Sequence, residues 1–311
     1  MNIRFTQTLL TLLVASILIL PACQKDDKKR DKTEDTEEVV TVDTIDTQLV
    51  KDIKSVKEMF YSMPSPLEVA MILKQAGKDY NPELLNPVNK TSEYVSTKNM
   101  ALNLGIYATD LSYASLYDQT QTTIDYINAS KKMAEGLGIL NAIDQNTIER
   151  LEANVNNRDV ILDIISESIL NSSSFFQEND RQAVSTIILI GGWVEGLYIA
   201  TNLIEDNPSQ DDIENNELIS RVADQKLAIN TIMKLIEKNE DDENLKAVKE
   251  EISKLKSIYD EIKITSSKVV PVKDTVNQVT TLNSETEISM TPDIYNKLKQ
   301  QVDVIRNQFT L

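Results

Sequence analysis

NMALNLGIYATDLSYASLY, residues Asn99–Tyr117, and IILIGGWVEGLYIATNL, residues Ile187–Leu203, are apolar nearly all the way round a helix rather than along one stripe. Helices of that kind belong in the middle of a bundle. Both carry small side chains at four-residue spacing: Ala101, Gly105 and Thr109 on the first, Gly192, Gly196 and Ala200 on the second. A ridge of small residues lets two helix axes approach to the short end of the usual range of about 8–10 Å. Glycine within a helix costs about 1 kcal/mol relative to alanine, and close packing is the natural compensation. The two helices are therefore expected to cross through these ridges. The second has Glu195 at its centre and reads as too poor in apolar residues to span a bilayer.

Each helix also carries an acid that the pattern does not explain. Asp110 has Tyr107 three residues before it and Tyr113 three after; Glu195 has Trp193 nearby and Tyr198 three residues on. A carboxylate on a buried helix must be paired, hydrogen-bonded or protonated, because an isolated buried charge is very costly. Three readings follow. Tyrosine hydroxyls, the indole N–H or an arginine (Arg181 or Arg158) satisfy the acids, which then fix helix register. Alternatively, an aromatic-walled pocket between the central helices binds a cationic or sugar-like ligand or a metal ion. The third reading is an acid pair acting as a carboxylate-dependent hydrolase.

Outward from this centre the chain reads helical almost throughout. Val50, Ile53, Val56 and Phe60 mark one helix face, and Pro64-Ser65-Pro66 breaks it before a second helix ending at Gly77. YNPELLNPVNKTSEY, with Pro82 and Pro87, is a turn-rich connection. Helices are expected at about 92–116, 118–136, 145–155, 158–177 and 179–205, with Gly136-Leu-Gly138 as a stop. All seven glycines lie between Gly77 and Gly196. Beyond them come two amphipathic runs. In the first, Ile219, Val222, Ile229, Met233 and Ile236 keep a 3-4 spacing with Lys226 as the exception; Leu245, Val248, Ile252, Leu255, Tyr259 and Ile262 keep it unbroken in the second. They predict an antiparallel helical hairpin. Residues 264–290 read as irregular. Thr291-Pro292 then starts a last helix with Ile294, Leu298, Val302, Ile305 and Phe309 on one face. The fold class is all-α: a bundle over 49–205 with two central buried helices, and a hairpin, irregular segment and terminal helix over 206–311 packed on it.

Composition limits the chemistry. The chain has 311 residues, no histidine and one cysteine. Without histidine the commonest general base, the Ser-His and Cys-His pairs and most zinc and iron sites are excluded. No Gly-rich phosphate loop, GxSxG elbow or EF-hand loop occurs, and no cofactor is implied.

The single cysteine, Cys23, is placed tellingly. Arg4 is a short positive region and Leu9–Leu20 an apolar run of about a dozen residues, shorter than the ~20 a bilayer-spanning helix needs and fitting a signal peptide over residues 1–22. Leu20-Pro21-Ala22-Cys23 resembles the lipobox of bacterial lipoproteins, although Pro21 is uncommon there. Gln24-Lys25-Asp26-Asp27 looks like the export signal that takes lipoproteins of the Bacteroidota to the outer face of the outer membrane. The resemblance implies acylation of Cys23, an anchor in the lipid bilayer and surface exposure. The absence of histidine separates this chain from the helical, histidine-containing iron-uptake lipoproteins.

Removal of residues 1–22 takes away Arg4 and leaves 289 residues, with 31 Lys+Arg against 49 Asp+Glu and a net charge of −18. So acidic a chain repels nucleic acid and anionic lipid, and nucleic acid is not an expected partner. Residues 23–48 are charged, Thr-rich and poor in apolar side chains, which predicts a disordered tether whose roughly 25 residues would span roughly 25–30 Å. Asp43-Thr44-Ile45 and Asp274-Thr275-Val276 resemble the Asp-Ser/Thr-aliphatic motif for O-glycosylation in exported Bacteroidota proteins, making Thr44 and Thr275 the candidate acceptors. EDNPSQDDIENNE reads as a solvated acidic loop. The function expected is binding or scaffolding at the cell envelope, with an envelope protein or a small ligand as partner; the residues do not reveal an oligomeric state.

Overall fold

The computed structural model describes residues 79–311, apart from 141–144, 180, 267–269, 275–278 and 284–285. Cys23, the Gln24–Asp27 signal, the tether, Thr44, Thr275 and the helices expected between Val50 and Gly77 lie outside the described residues. The body is an all-α multi-helix fold. Among the described residues its helices are α1 (Thr97–Leu116), α2 (Thr120–Gly136), α3 (Gln145–Ala153), α4 (Arg158–Glu178), α5 (Gln182–Asn202), α6 (Gln210–Asn215), α7 (Glu217–Lys238), α8 (Glu243–Glu261) and α9 (Pro292–Phe309).

Local chemistry sets the ends of these elements. Ser96, Asn216, Asp242 and Thr291 each accept from backbone N–H groups of the first turn that follows them, which starts α1, α7, α8 and α9. The end of α2 is a reciprocal pair of bonds, Gly138 N–H to Glu135 O and Ile139 N–H to Ala134 O, each 3.0 Å. It requires Gly138 in the left-handed region (φ 68°), where glycine is unstrained. Before α1, Pro82–Leu84 and Val88–Ser92 form two short tight helical turns.

Helices α1 and α5 lie side by side at the centre, α2 and α4 cover α1, and α5 is further covered by α4, α7 and α9. The α7–α8 hairpin packs through Ile219, Val222, Ile229, Ile236, Leu245, Val248, Ile252, Leu255 and Tyr259, all buried. Lys226, the exception in its spacing, reaches across the hairpin to the carbonyls of Asp260 and Ile262. There it places a cation at the negative end of α8. One continuous apolar core runs from Leu84 to Phe309, so residues 206–311 share the core of the bundle rather than building their own.

Three features depart from the expectations. Helix α5 is, by length and composition alone, apolar enough to cross a bilayer; 67% of its most apolar window is instead buried within the protein. Ser209 and Asp212 cap each other's backbone around the start of α6, so part of the acidic stretch is a short helix. The stretch read as irregular carries strands β1 (Lys263–Ser266), β2 (Val270–Asp274), β3 (Val279–Asn283) and β4 (Thr286–Ser289). β1 pairs antiparallel with β4 (Ile264 opposite Ile288) and β2 with β3 (Val272 opposite Thr281). Its many Val, Ile and Thr residues suit a pleated backbone, and a 3.6-residue search does not register a two-stranded ladder.

Candidate functional site: a buried acid pair closed by the terminal helix

The crossing of α1 and α5 positions both acids. At Gly105 an added Cβ would stand 2.0 Å from the Ile188 carbonyl oxygen and 2.6 Å from the Gly192 nitrogen; at Gly191 it would stand 2.1 Å from the Leu102 carbonyl oxygen. Gly192 faces Gly105 and Thr109, whose hydroxyl donates to the Gly192 carbonyl at 3.1 Å and to the Gly105 carbonyl at 3.2 Å. Backbone thus meets backbone, as the small-residue ridges predict, but with two substitutions of detail. Gly191 makes one of the closest approaches, while Gly196 has nothing within 4 Å of its missing side chain. Ala101 and Ala200 are buried on their helices.

One turn beyond this crossing, Asp110 and Glu195 are fully buried and directed at each other. Neither Arg181 nor Arg158 reaches them. Arg181 donates to the Leu137 carbonyl (3.0 Å) and lies over the Phe176 ring, and Arg158 pairs with Asp159 at the surface. The partner is Arg306 of α9. Its Nε donates to Glu195 Oε2 at 3.0 Å and its Nη2 to Glu195 Oε1 at 3.1 Å, a two-pronged pair; Nη2 also donates to the Leu84 carbonyl at 3.2 Å. The guanidinium lies 4.5 Å from the centre of the Tyr198 ring.

Asp110 is held differently. The backbone N–H of Asn86 donates to its Oδ2 at 3.1 Å, while its Oδ1 meets no donor. Burial pushes the Asp110 carboxyl well above the usual carboxylate range, and the charge of Glu195 pushes it further. Burial also raises Glu195, but there the charge and hydrogen bonds of Arg306 and a hydrogen bond from Asp110 act in the opposite direction. Burial alone would lower Arg306; Glu195 more than offsets this.

Asn86 extends the cluster. Its Nδ2 donates to Asn103 Oδ1 (2.9 Å) and Tyr94 Oη (3.1 Å), and its carbonyl accepts from the Tyr126 hydroxyl (2.9 Å). Asn103 in turn donates to the Phe309 carbonyl at 2.9 Å, tying α1 to the end of α9. The aromatic residues read as walls of a pocket have other partners. The Tyr107 hydroxyl donates to the Pro87 carbonyl (3.1 Å), and Tyr113 accepts from the Asn81 N–H (3.1 Å). Trp193 donates to Gln225 Oε1 (3.1 Å) on α7, away from the acids.

Asp110, Glu195 and Tyr198 therefore share one cluster, with Tyr107 at its edge and Trp193 and Tyr113 outside it. Arg306, Asn86 and Asn103 are the members that sequence reasoning missed. Among the described residues no group of three or more His, Cys, Asp or Glu side chains gathers as a metal site. Comparison with family models, with curated proteins and with solved structures found no match. Fold and site define a class by their own geometry: an all-α bundle whose central helices are joined to a terminal helix by a buried Asp–Glu–Arg cluster.

Proposed function

We propose that this protein is a lipid-anchored component of the outer membrane, facing the cell exterior, whose helical body serves as a binding or scaffolding module. The observation that carries this reading is the position of the one cysteine, Cys23, between the apolar run ending Leu20-Pro-Ala and the charged Gln24-Lys-Asp-Asp. The body supports scaffolding over a ligand pocket or a hydrolase. Its two central acids face each other, Arg306 and the Asn86 N–H, and the Tyr107 and Tyr126 hydroxyls donate to backbone carbonyls. The −18 charge of the processed chain suits a solvated body held clear of an anionic surface.

Metabolic labelling with a fatty acid tests the anchor. Label is expected on the wild-type protein and not on Cys23→Ala, which should leave the membrane fraction. Label retained on the variant would refute the anchor. Protease added to intact cells is expected to degrade the protein; protection until the outer membrane is opened would confine it to the inner leaflet.

A further inference from the structure

Asp110 and Glu195 are fully buried with a single guanidinium, bonded to Glu195, beside them, which leaves two carboxyls for one buried positive charge. Arg306 spends both of its donors in reach on Glu195 and on the Leu84 carbonyl. Asp110 Oδ1 is left without a donor, and the group in front of it is the Glu195 carboxylate, which offers only lone pairs. Two facing carboxylate oxygens that both accept repel each other, and a proton between them satisfies both. We propose that Asp110 and Glu195 share one proton in the folded chain, carried on Asp110 Oδ1 and donated to Glu195, and that this proton is a pH-sensitive latch on the terminal helix α9.

The geometry settles which acid carries it. Glu195 needs its charge for the two-pronged bond with Arg306, whereas Asp110 Oδ2 accepts one bond from a neutral backbone N–H. The resulting cluster is electroneutral: one guanidinium, one carboxylate and one carboxylic acid. The other ionisable groups near enough to feel the charge of Asp110 are tyrosines: Tyr107 on α1, Tyr126 on α2, Tyr198 on α5 and Tyr80 before α1. Burial raises each of these hydroxyls above its ordinary alkaline range, so the acid pair is the part of the cluster whose proton is at issue as pH rises. Loss of the proton would set two bare carboxylates against each other around one arginine. Arg306 is the side chain through which α9 holds this cluster, so that repulsion acts on the seating of α9.

The direction of the pH effect follows from linkage. The folded chain retains the Asp110 proton to a higher pH than the unfolded chain, in which an aspartate loses it near about 3.9. The stabilisation from this group is complete below that value and is lost as pH rises toward the folded value.

The test uses the full chain purified in detergent. At pH 7 its infrared spectrum is expected to show the carbonyl stretch of a protonated carboxylic acid, told from lipid ester carbonyls by its shift on H/D exchange, and Asp110→Asn should lack this exchangeable band. Asparagine can still accept the Asn86 N–H and donate to Glu195, so the variant mimics the protonated acid at every pH. Above pH 4 the folding equilibrium of the wild type is expected to fall relative to the variant by about tenfold per pH unit until the folded acid ionises. Hydrogen exchange, corrected for intrinsic rates, should show α9 losing protection before α2 as pH rises in the wild type alone. Absence of the carboxylic-acid band from the wild type would overturn the shared proton, whether or not the variant folds; so would its persistence in the variant. Loss of protection in α9 and α2 together would overturn the latch.

Discussion

At the scale of single residues, the cluster works because Arg306 is a buried cation whose Nε and Nη2 both donate to Glu195. Truncating one member of a buried ion pair leaves the other uncompensated, at a cost of about 3–5 kcal/mol. Arg306→Met is therefore expected to destabilise the protein by that amount, read from urea unfolding through the fluorescence of Trp193, the one tryptophan in the chain. Glu195→Gln should cost a similar amount, and the two substitutions together less than their sum, since each removes the same interaction. Additive costs would show that the two side chains act independently. Asp110 and Glu195 stand out in sequence as acids inside apolar helices, and burial could be inferred for both. Their partner could not be inferred the same way, because ion pairing across the fold leaves no spacing in the chain. A signal nevertheless existed: Val302, Arg306 and Phe309 fall at i, i+4 and i+7 on the buried stripe of α9, so Arg306 sits where only apolar residues belong. Asn103, in the same position on α1, could have been found by the same reasoning.

At the scale of elements, the α1–α5 contact separates glycines that must be glycine from one that need not be. Gly105→Ala would drive a methyl into the backbone of Ile188; overpacking of this kind costs about 1–3 kcal/mol or more, which outweighs the helix-propensity gain of about 1 kcal/mol. Gly191→Ala should behave alike against Leu102. Gly196→Ala meets nothing within 4 Å and keeps only the propensity gain, so it should raise the melting temperature. A destabilised Gly196→Ala, or a neutral Gly105→Ala, would contradict the packing described. Sequence spacing identified the correct pair of helices but not the register. Gly192 and Gly196 are equivalent in a four-residue repeat, and what tells them apart is contact across the fold: Gly192 meets Gly105 and Thr109, which bonds its carbonyl. The hairpin was legible for the opposite reason: its 3-4 spacing is local, and only Lys226 broke it, because its partners are the carbonyls ending the neighbouring helix. The ribbon between α8 and α9 was missed because short Thr- and Val-rich strands carry no helical period.

At the scale of the whole molecule, charge has the largest influence. A net charge of −17, with acidic stretches around α6 and between α7 and α8, means the folded body repels itself. Added sodium chloride shortens the Debye length from about 30 Å at 0.01 M to about 8 Å at 0.15 M. Unfolding at pH 7 is therefore expected to move to higher temperature as salt is raised over this range. The surface pairs, such as Lys256 with Asp260 and Lys297 with Asp293, are exposed and too weak to reverse the trend. A melting temperature that falls with salt would show that attractive pairs outweigh the net repulsion. The buried cluster lies beyond the reach of such screening, so the variants at Arg306 should keep their deficit at every salt concentration.

The cluster also orders events in time. Glu195 precedes Arg306 by 111 residues, and Asp110 comes earlier still. A ribosome therefore releases both acids well before the arginine. Until α9 follows, the two central helices carry acids with no counter-charge. The side chain that steadies the finished body is thus also the last member of its buried cluster to be made.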